Sequence, residues 1–450
     1  MRLKKVLVPV PLFLSLIISG CSRQAPEPEV TTITILENAV RGGLNSQFVD
    51  WYDELIPEIE NHLGIKIKII TAGVKDEDFK ARIALDIKSK KGADIIAFDQ
   101  FCIPEFAEPG FILPLDEYLE TWPEAGYLYD SMRRMGSYKG RTYLIMRLTD
   151  VRMLFYHRPV LEAAGIELPW QAKNWDEIID AARKIKASQP DIIPLQINAG
   201  LTMGEATTMQ GFLMLLFGAG GKLYDEHAEK WVVESPELRR TLEFYRRIYI
   251  VENLADVELQ LASHAREKSF ELFQKGRIAI YAEGTWFYTA VLKPDGPWGI
   301  PDRDERIGWA RFPGSGAPGA PRFVSVSGGN GHIINPYCQH PDMAWKVIAE
   351  LNSAQNLGKL FSRIPFSPTR KDIAALPVVQ ADSFIAKSGE TLVPITRARP
   401  GLPEYPEISF QVQLMTEQVI TGKRTVDQAI KEFAKSVALI AGKDKIIKND

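Results

Sequence analysis

Residues 32–97 read TITILENAVRGGLNSQFVDWYDELIPEIENHLGIKIKIITAGVKDEDFKARIALDIKSKKGADIIA, and this stretch decides the fold. Thr32–Leu36 (TITIL) is a run of β-branched and apolar residues that predicts a strand. From Gln47 to Leu63 the residues Phe48, Trp51, Tyr52, Leu55, Ile59 and Leu63 recur at helical spacing on one side. Gly64 closes that helix, and Ile65–Ile70 (IKIKII) alternates apolar and basic as a half-buried strand does. Phe79–Ser89 is predicted as a second helix, preceded by acidic residues that suit its positive end. Asp94–Ala97 (DIIA) reads as a short buried strand. Strand, helix, strand, helix, strand in that order predicts an α/β fold with a largely parallel sheet and helices on its faces.

The alternation continues downstream. Asn174–Ser188 opens with an Asn cap and carries Glu177 three residues on, close to a capping box. Leu201–Phe217 is predicted as one apolar helix, stopped by Gly218-Ala219-Gly220-Gly221. Ser235–Ile250 and His264–Gln274 read as helices, and Arg277–Tyr281 as a strand. The Gly- and Pro-rich stretch 294–321 reads as a surface excursion around a short strand near Trp309. Val324–Ile334 holds a Ser-Gly-Gly-Asn-Gly cluster between apolar ends, and Pro341–Leu351 and Val426–Ala441 are predicted helices. No repeat of about 20–50 residues is visible, which argues against a solenoid or propeller.

Length and composition bound the possibilities. The 450 residues favour two or three domains, and 45% hydrophobic with 25% charged residues is ordinary for a globular chain. Lys and Arg number 54 against 57 Asp and Glu, a net of -3, so no electrostatic ground exists for a nucleic-acid partner. Three cysteines exclude a disulfide-rich scaffold and a multi-cysteine metal site.

The amino terminus sets the compartment. A basic start (MRLKK) is followed by an uncharged stretch, Val6–Ile18, too short to span a bilayer comfortably, and then by small residues, which describes an export signal. Ile18-Ser19-Gly20-Cys21 resembles the bacterial lipobox, and the resemblance implies acylation of Cys21 after removal of residues 1–20. A lipid-anchored protein at the cell envelope is the expectation, held in the bilayer by palmitate-type chains on Cys21. An ordinary secretory signal with an accidental cysteine is the alternative. Cleavage leaves 51 basic and 57 acidic side chains, a net of -6, and a polar, Pro-rich tether at 21–30. Cys102 and Cys338 are then expected in an oxidising setting, either paired or as two isolated thiols.

Several segments together resemble the extracellular solute-binding proteins of bacterial ABC importers, in the carbohydrate-binding branch. The resemblance rests on Asp94–Glu120 (DIIAFDQFCIPEFAEPGFILPLDEYLE), Gly140–Arg158 (GRTYLIMRLTDVRMLFYHR) with Leu161–Lys184 after it, Phe273–Tyr288 (FQKGRIAIYAEGTWFY) and Gly422–Ala434 (GKRTVDQAIKEFA). It implies the two-lobed periplasmic-binding-protein fold, with discontinuous lobes, a hinge and a central cleft. The implied division is 31–145 plus 323–366 for lobe one and 150–318 plus 371–450 for lobe two. It further implies a carbohydrate ligand, an ABC importer permease as partner, no cofactor, and a monomer.

A sugar presents hydroxyls at its edges and C–H patches on its faces, so planar polar groups and flat rings are the side chains sought. Trp286, after a Gly at a strand's end, is the first aromatic candidate, with a buried lobe-two indole as the alternative. Asp99 and Gln100 follow a strand directly, as hydroxyl ligands or as solvated loop residues. Asp150 lies where the resemblance expects an acidic ligand, and an interlobe salt bridge is its other reading. Arg147, three residues earlier, is expected to hold a carboxylate or meet the ligand. Glu37 and Asn38 end the first strand, with Arg41 nearby. Glu205 starts a helix, as a ligand or as a first-turn acid. Gly328, Gly329 and Asn330 offer backbone N–H groups or form a plain turn. Glu283 and Tyr405 complete the set. Six histidines form no metal-binding helical pair, and no nucleophile elbow or phosphate loop occurs. The expectation is therefore a receptor and not an enzyme. An anchored polysaccharide-processing enzyme and a ligand sensor without import are the alternatives.

Overall fold

The structure, a computed structural model, describes residues 30–42, 45–74, 76–296, 298–364 and 366–448. The export signal, Cys21 and the tether up to residue 29 lie outside the described residues. The strands that organise the molecule are β1 (Thr32–Glu37), β2 (Lys66–Thr71), β3 (Ile95–Asp99), β4 (Ile145–Thr149), β5 (Arg152–His157), β6 (Ile193–Gln196), β7 (Ile278–Gly284), β8 (Ile307–Ala310), β9 (Phe323–Val326) and β10 (Gly329–Ile334).

The opening stretch folds as its pattern predicts. β1 pairs in parallel with β2, Thr32 opposite Lys66, and with β3, Ile35 opposite Ile95. The helix Ser46–Leu63 buries Phe48, Trp51, Tyr52, Leu55 and Ile59 against this sheet. It stops at Gly64, whose φ of 66° suits a residue without a Cβ and whose N–H returns to the Glu60 carbonyl at 2.9 Å. β10 and β4 then join antiparallel, giving the order β2-β1-β3-β10-β4. A second sheet runs β8-β5-β7-β6. Asn174 caps the helix Trp175–Ser188 over it, its side chain accepting the Glu177 N–H at 3.0 Å.

Two crossings lead out of the first sheet, one to the second sheet and one to a separate three-stranded sheet that holds β9. β4 leads into β5 through Asp150–Val151, and β9 leads into β10 through Ser327–Gly328. β9 pairs with Phe312–Pro313 and Thr396–Arg397, and the chain passes from these strands to the first sheet at Ser327–Gly328. A third connection pairs Ser367 with Thr149 through N–H···O bonds of 3.2 and 3.3 Å.

Two details differ from the sequence reading. The Ser-Gly-Gly-Asn-Gly cluster is not a turn: Gly329 and Asn330 begin β10, opposite Thr149 and Leu148 of β4. Gly329 has φ of 141°, and a Cβ there would run into the Leu148 carbonyl, so the strands approach too closely for a side chain. The predicted helix Leu201–Phe217 is a π-helical stretch, Thr207–Phe212, continuing into an α-helix, Leu213–Gly218. Gly211 in the wide turn abuts the Asn198 carbonyl and the Tyr245 hydroxyl. Of the two alternatives open for Cys102 and Cys338, the structure has the isolated one: both are free thiols, the first buried and the second half-buried.

Candidate functional site

The strand directions define where a site can form. Glu37, Asp99 and Thr149 end β1, β3 and β4, and Gly329 starts β10, so one edge of the first sheet carries all four. Arg152 starts β5 while Gln196 and Gly284 end β6 and β7, which gives the second sheet a corresponding edge. The crossings at 150–151 and 327–328 bring these edges together, and the Thr285 N–H meets the Val151 carbonyl at 2.9 Å. In open α/β sheets, ligands bind outside the carboxyl ends of strands.

Three arginine-centred clusters line this junction. The first is sealed beneath the first-sheet edge. Arg147 is wholly buried and donates to the Glu37 carboxylate at 2.7 and 3.2 Å, to the Tyr52 hydroxyl at 2.8 Å and to Asn330 Oδ1 at 2.7 Å. Its guanidinium lies 3.9 Å from the centroid of the Phe48 ring. Burial works against this cation, but Glu37 and Tyr52 outweigh it and its pKa is raised. Tyr52 also meets His332 Nε2 at 2.7 Å, and burial, reinforced by Arg147, keeps that imidazole neutral. Glu37, Arg147 and Asn330 are thus brought together, and the carboxylate that Arg147 holds is that of Glu37. Asn38 bonds the Val74 backbone at 2.9 and 3.0 Å, and Arg41 turns outward to Asp53.

The second cluster spans the junction. Asp99 caps the short turn Gln100–Cys102 and stands 3.7 Å from Arg399. Arg399 donates to Glu205 at 3.0 Å and lies 4.2 Å from the Phe101 ring centroid. Glu205 also accepts from the Tyr405 hydroxyl and, at 2.6 Å, from Ser409. Burial, and then the Glu205 charge, pushes the Tyr405 phenol well above its usual range. The third cluster surrounds Glu283, fully buried at the end of β7. Arg266, Asn198, Gln210 and Tyr281 all approach its carboxylate at 3.2–3.4 Å. Arg266 in turn covers the half-buried Trp286 ring at 4.8 Å. Between the crossings, Asp150 accepts from Arg152 and from the Gly328 N–H at 2.9 Å.

Beside these contacts stand polar atoms without partners. Gln100 Nε2, Arg152 Nε, Gln196 Oε1, Asn198 Oδ1, Gln210 Oε1, Arg266 Nε and Arg399 Nε are buried and unbonded among the described residues. A buried group left this way costs about 1–3 kcal/mol, and native structures answer it with water or a ligand. Arg399, Arg266, Arg152, Asn198 and Gln210 were not anticipated from the sequence. Arg399 sits in TRARPGLP (396–403), which has neither helical nor strand period.

The family described as “Bacterial extracellular solute-binding protein” matches residues 45–357. The chain belongs to this family. Among solved structures, this solute-binding protein is similar to an ABC-transporter solute-binding protein of Thermotoga lettingae bound with alpha-D-tagatose, at 27% identity and a TM-score of 0.73, covering 91% of this chain and 99% of that one. The sugar-binding protein MalE of Xanthomonas citri superposes with a TM-score of 0.77 at 20% identity, over 91% of this chain and 97% of that one, a likeness of fold. The mannitol-binding protein of Pseudomonas aeruginosa is 22% identical over 411 residues, 84% of this chain and 87% of that protein. The two-lobed solute-binding fold expected from the sequence is therefore the fold of this chain. The relatives just named are binding proteins. Among the described residues, no helix is long and apolar enough to cross a membrane, and no group of three or more His, Cys, Asp or Glu could hold a metal ion.

Proposed function

We propose that this protein captures a neutral polyhydroxylated solute, a sugar or sugar alcohol, between its two lobes and delivers it to an ABC importer. The observation that carries this reading is the set of seven buried, unpartnered donors and acceptors at the sheet junction, beside the half-buried Trp286. Hydroxyls both donate and accept, so they can complete amide oxygens and guanidinium nitrogens alike. The carboxylates there already face arginines: Asp99 and Glu205 share Arg399, Glu283 faces Arg266, and Asp150 faces Arg152. A charged solute would disturb that balance, whereas a neutral one does not. The tagatose bound to the Thermotoga lettingae protein and the name of the Pseudomonas aeruginosa relative support the same class.

The contacts would come from Asp99, Gln100, Asp150 and Asn330 on one side and Glu205, Glu283, Trp286 and Tyr405 on the other, with Glu37, Asn38, Arg147 and Gly329 shaping the first edge. Solute touching both sides favours the closed arrangement by its differential affinity, the hinge lying at 150–151 and 327–328. The protein acts as a monomeric receptor without catalysis, tethered at the cell envelope through acylated Cys21. Calorimetry with D-tagatose, mannitol, maltose and maltotriose, on wild type and Trp286→Ala, tests the reading. Saturable binding of at least one, weakened about tenfold or more by the variant, is expected. Binding of none, or an affinity indifferent to the indole, would count against it.

A further inference from the structure

We propose a second ligand site, for a small anion carrying a flat apolar ring, at the end of the second sheet remote from the junction. β5 begins beside the crossing at Arg152 and ends at His157, a run of six residues, so Arg158 lies on the order of 20 Å away along the strand. Here lies a half-open cavity of about 660 Å³. That volume suits a small organic molecule.

Its aromatic lining comes from several parts of the chain. Trp309 on β8 and Arg158 after β5 come from the second sheet. Phe361 comes from the helix Ala354–Arg363, which is tied to the first-lobe helix by the Trp51 indole N–H bonded to the Asn356 carbonyl at 2.8 Å. Phe384 comes from the helix Ser383–Leu392 and packs edge-on to Trp309, ring centroids 5.8 Å apart. Phe361 and Phe384 are largely buried behind the surface, so the half-buried Trp309 ring is the flat apolar face offered to a ligand.

Charge selects the sign. Arg158, Arg303 and Lys387 line the cavity against two acids, Asp304 and Asp382. Both acids are engaged within the fold. Asp382 caps its helix, accepting the Phe384 and Ile385 N–H groups at 3.0 Å. Asp304 accepts from the Tyr288 hydroxyl at 2.6 Å and from Arg303 at 2.7 Å. Lys387 pairs with the exposed Glu390. Arg158 has no carboxylate within ion-pair distance among the described residues, although its charge reaches Asp304, and its one hydrogen bond is a 3.5 Å contact to the Glu305 carbonyl. A half-exposed guanidinium lining the same cavity as a tryptophan fits a ring-bearing carboxylate: charge-assisted hydrogen bonds hold the anion, and the indole takes the apolar body.

The test is calorimetric and uses 1-naphthoate as probe and its neutral analogue 1-naphthalenemethanol, on full-length protein. Saturable one-to-one binding of naphthoate is expected, with the alcohol about tenfold weaker. Arg158→Gln, a change at a half-exposed side chain, should weaken naphthoate about tenfold while leaving polyol binding unchanged; Trp309→His should weaken both naphthoate and the alcohol. No saturable naphthoate binding at millimolar concentration, equal binding by Arg158→Gln, or preference for the alcohol would overturn the proposal. A loss caused by Trp286→Ala instead would mean that naphthoate occupies the junction, and would overturn it as well.

Discussion

Removing the Glu37 carboxylate from its sealed cluster should be among the most damaging single changes in the first lobe. Arg147 is wholly buried and Glu37 is 3% exposed. Glu37→Leu deletes two guanidinium contacts, of 2.7 and 3.2 Å, and the acceptor of the Tyr52 hydroxyl at 3.0 Å. Arg147 retains Tyr52 and Asn330 as partners, yet its charge is left without a counter-charge in a dry site. Such a break costs about 3–5 kcal/mol. At roughly 2.1 cal/mol/K of unfolding entropy per residue over about 400 residues, this is a fall in Tm of about 3–6 °C if the lobes melt together. The companion double variant Glu37→Leu/Arg147→Met removes both charges and should lie within about 1–2 kcal/mol of wild type, because the desolvation of both ions is relieved. Urea unfolding of wild type, both single variants and the double variant closes the cycle. A Glu37→Leu loss below about 1 kcal/mol, or a double variant as unstable as the two singles added together, would refute the reasoning.

Acid should destabilise the fold through histidines held neutral. Burial lowers His157 to about 4, against the opposing hydrogen bond of its Nε2 to the Phe273 carbonyl at 2.6 Å and with a smaller push from Arg306, and burial with Arg147 lowers His332 well below its usual value. The unfolded chain takes up these protons near pH 6.5 and the folded chain only near 4 or below, so stability falls as pH drops through that window. His157→Leu should flatten the pH dependence of urea unfolding by about 3 kcal/mol between those limits. In Thr425→Ala, the cap of Val426–Ala441 loses a reciprocal pair with Gln428, at 3.0 and 3.3 Å, and a fall of about 1 kcal/mol is expected in the same assay. The thiols should resist modification by a thiol reagent until the chain unfolds, because burial raises Cys102 and pushes Cys338 up to about 12.

Much of the fold was legible where a period ran long enough. The helix Ser46–Leu63 announces itself through six apolar residues at helical spacing, and the parallel order of β1, β2 and β3 follows from what lies between them. The helices Lys371–Ala374, Pro377–Ala381 and Ser383–Leu392 left little trace, since four to ten residues complete too few turns to establish a period. The Ser-Gly-Gly-Asn-Gly cluster misled because glycine punctuates turns, whereas here it admits a neighbouring strand. At the site, strand ends pointed to Glu37 and Asp99, but partners depend on contacts far apart in sequence. Arg147 lies three residues from Asp150 and yet meets Glu37, 110 residues away. Arg399 meets Glu205 across 194 residues.

The two arginines at the first-sheet edge are built for opposite behaviour. Arg147 cannot leave Glu37 without exposing two ions to an apolar interior, so its cluster stiffens one lobe. Arg399 joins two sides unequally. Its bond to Glu205 is 3.0 Å and is supported by Tyr405 and Ser409 on the same carboxylate. Its approach to Asp99 is 3.7 Å, and the Asp99 side chain is 46% exposed. A pair of that second kind is worth about 0–1 kcal/mol, against about 1.5–3 kcal/mol for a charge-assisted hydrogen bond. When the lobes part, the Asp99 contact is therefore the one that yields, and Arg399 travels with Glu205. The barrier this arginine adds to opening is small, so under the proposed function the preference for a closed arrangement would be left to a solute touching both sides.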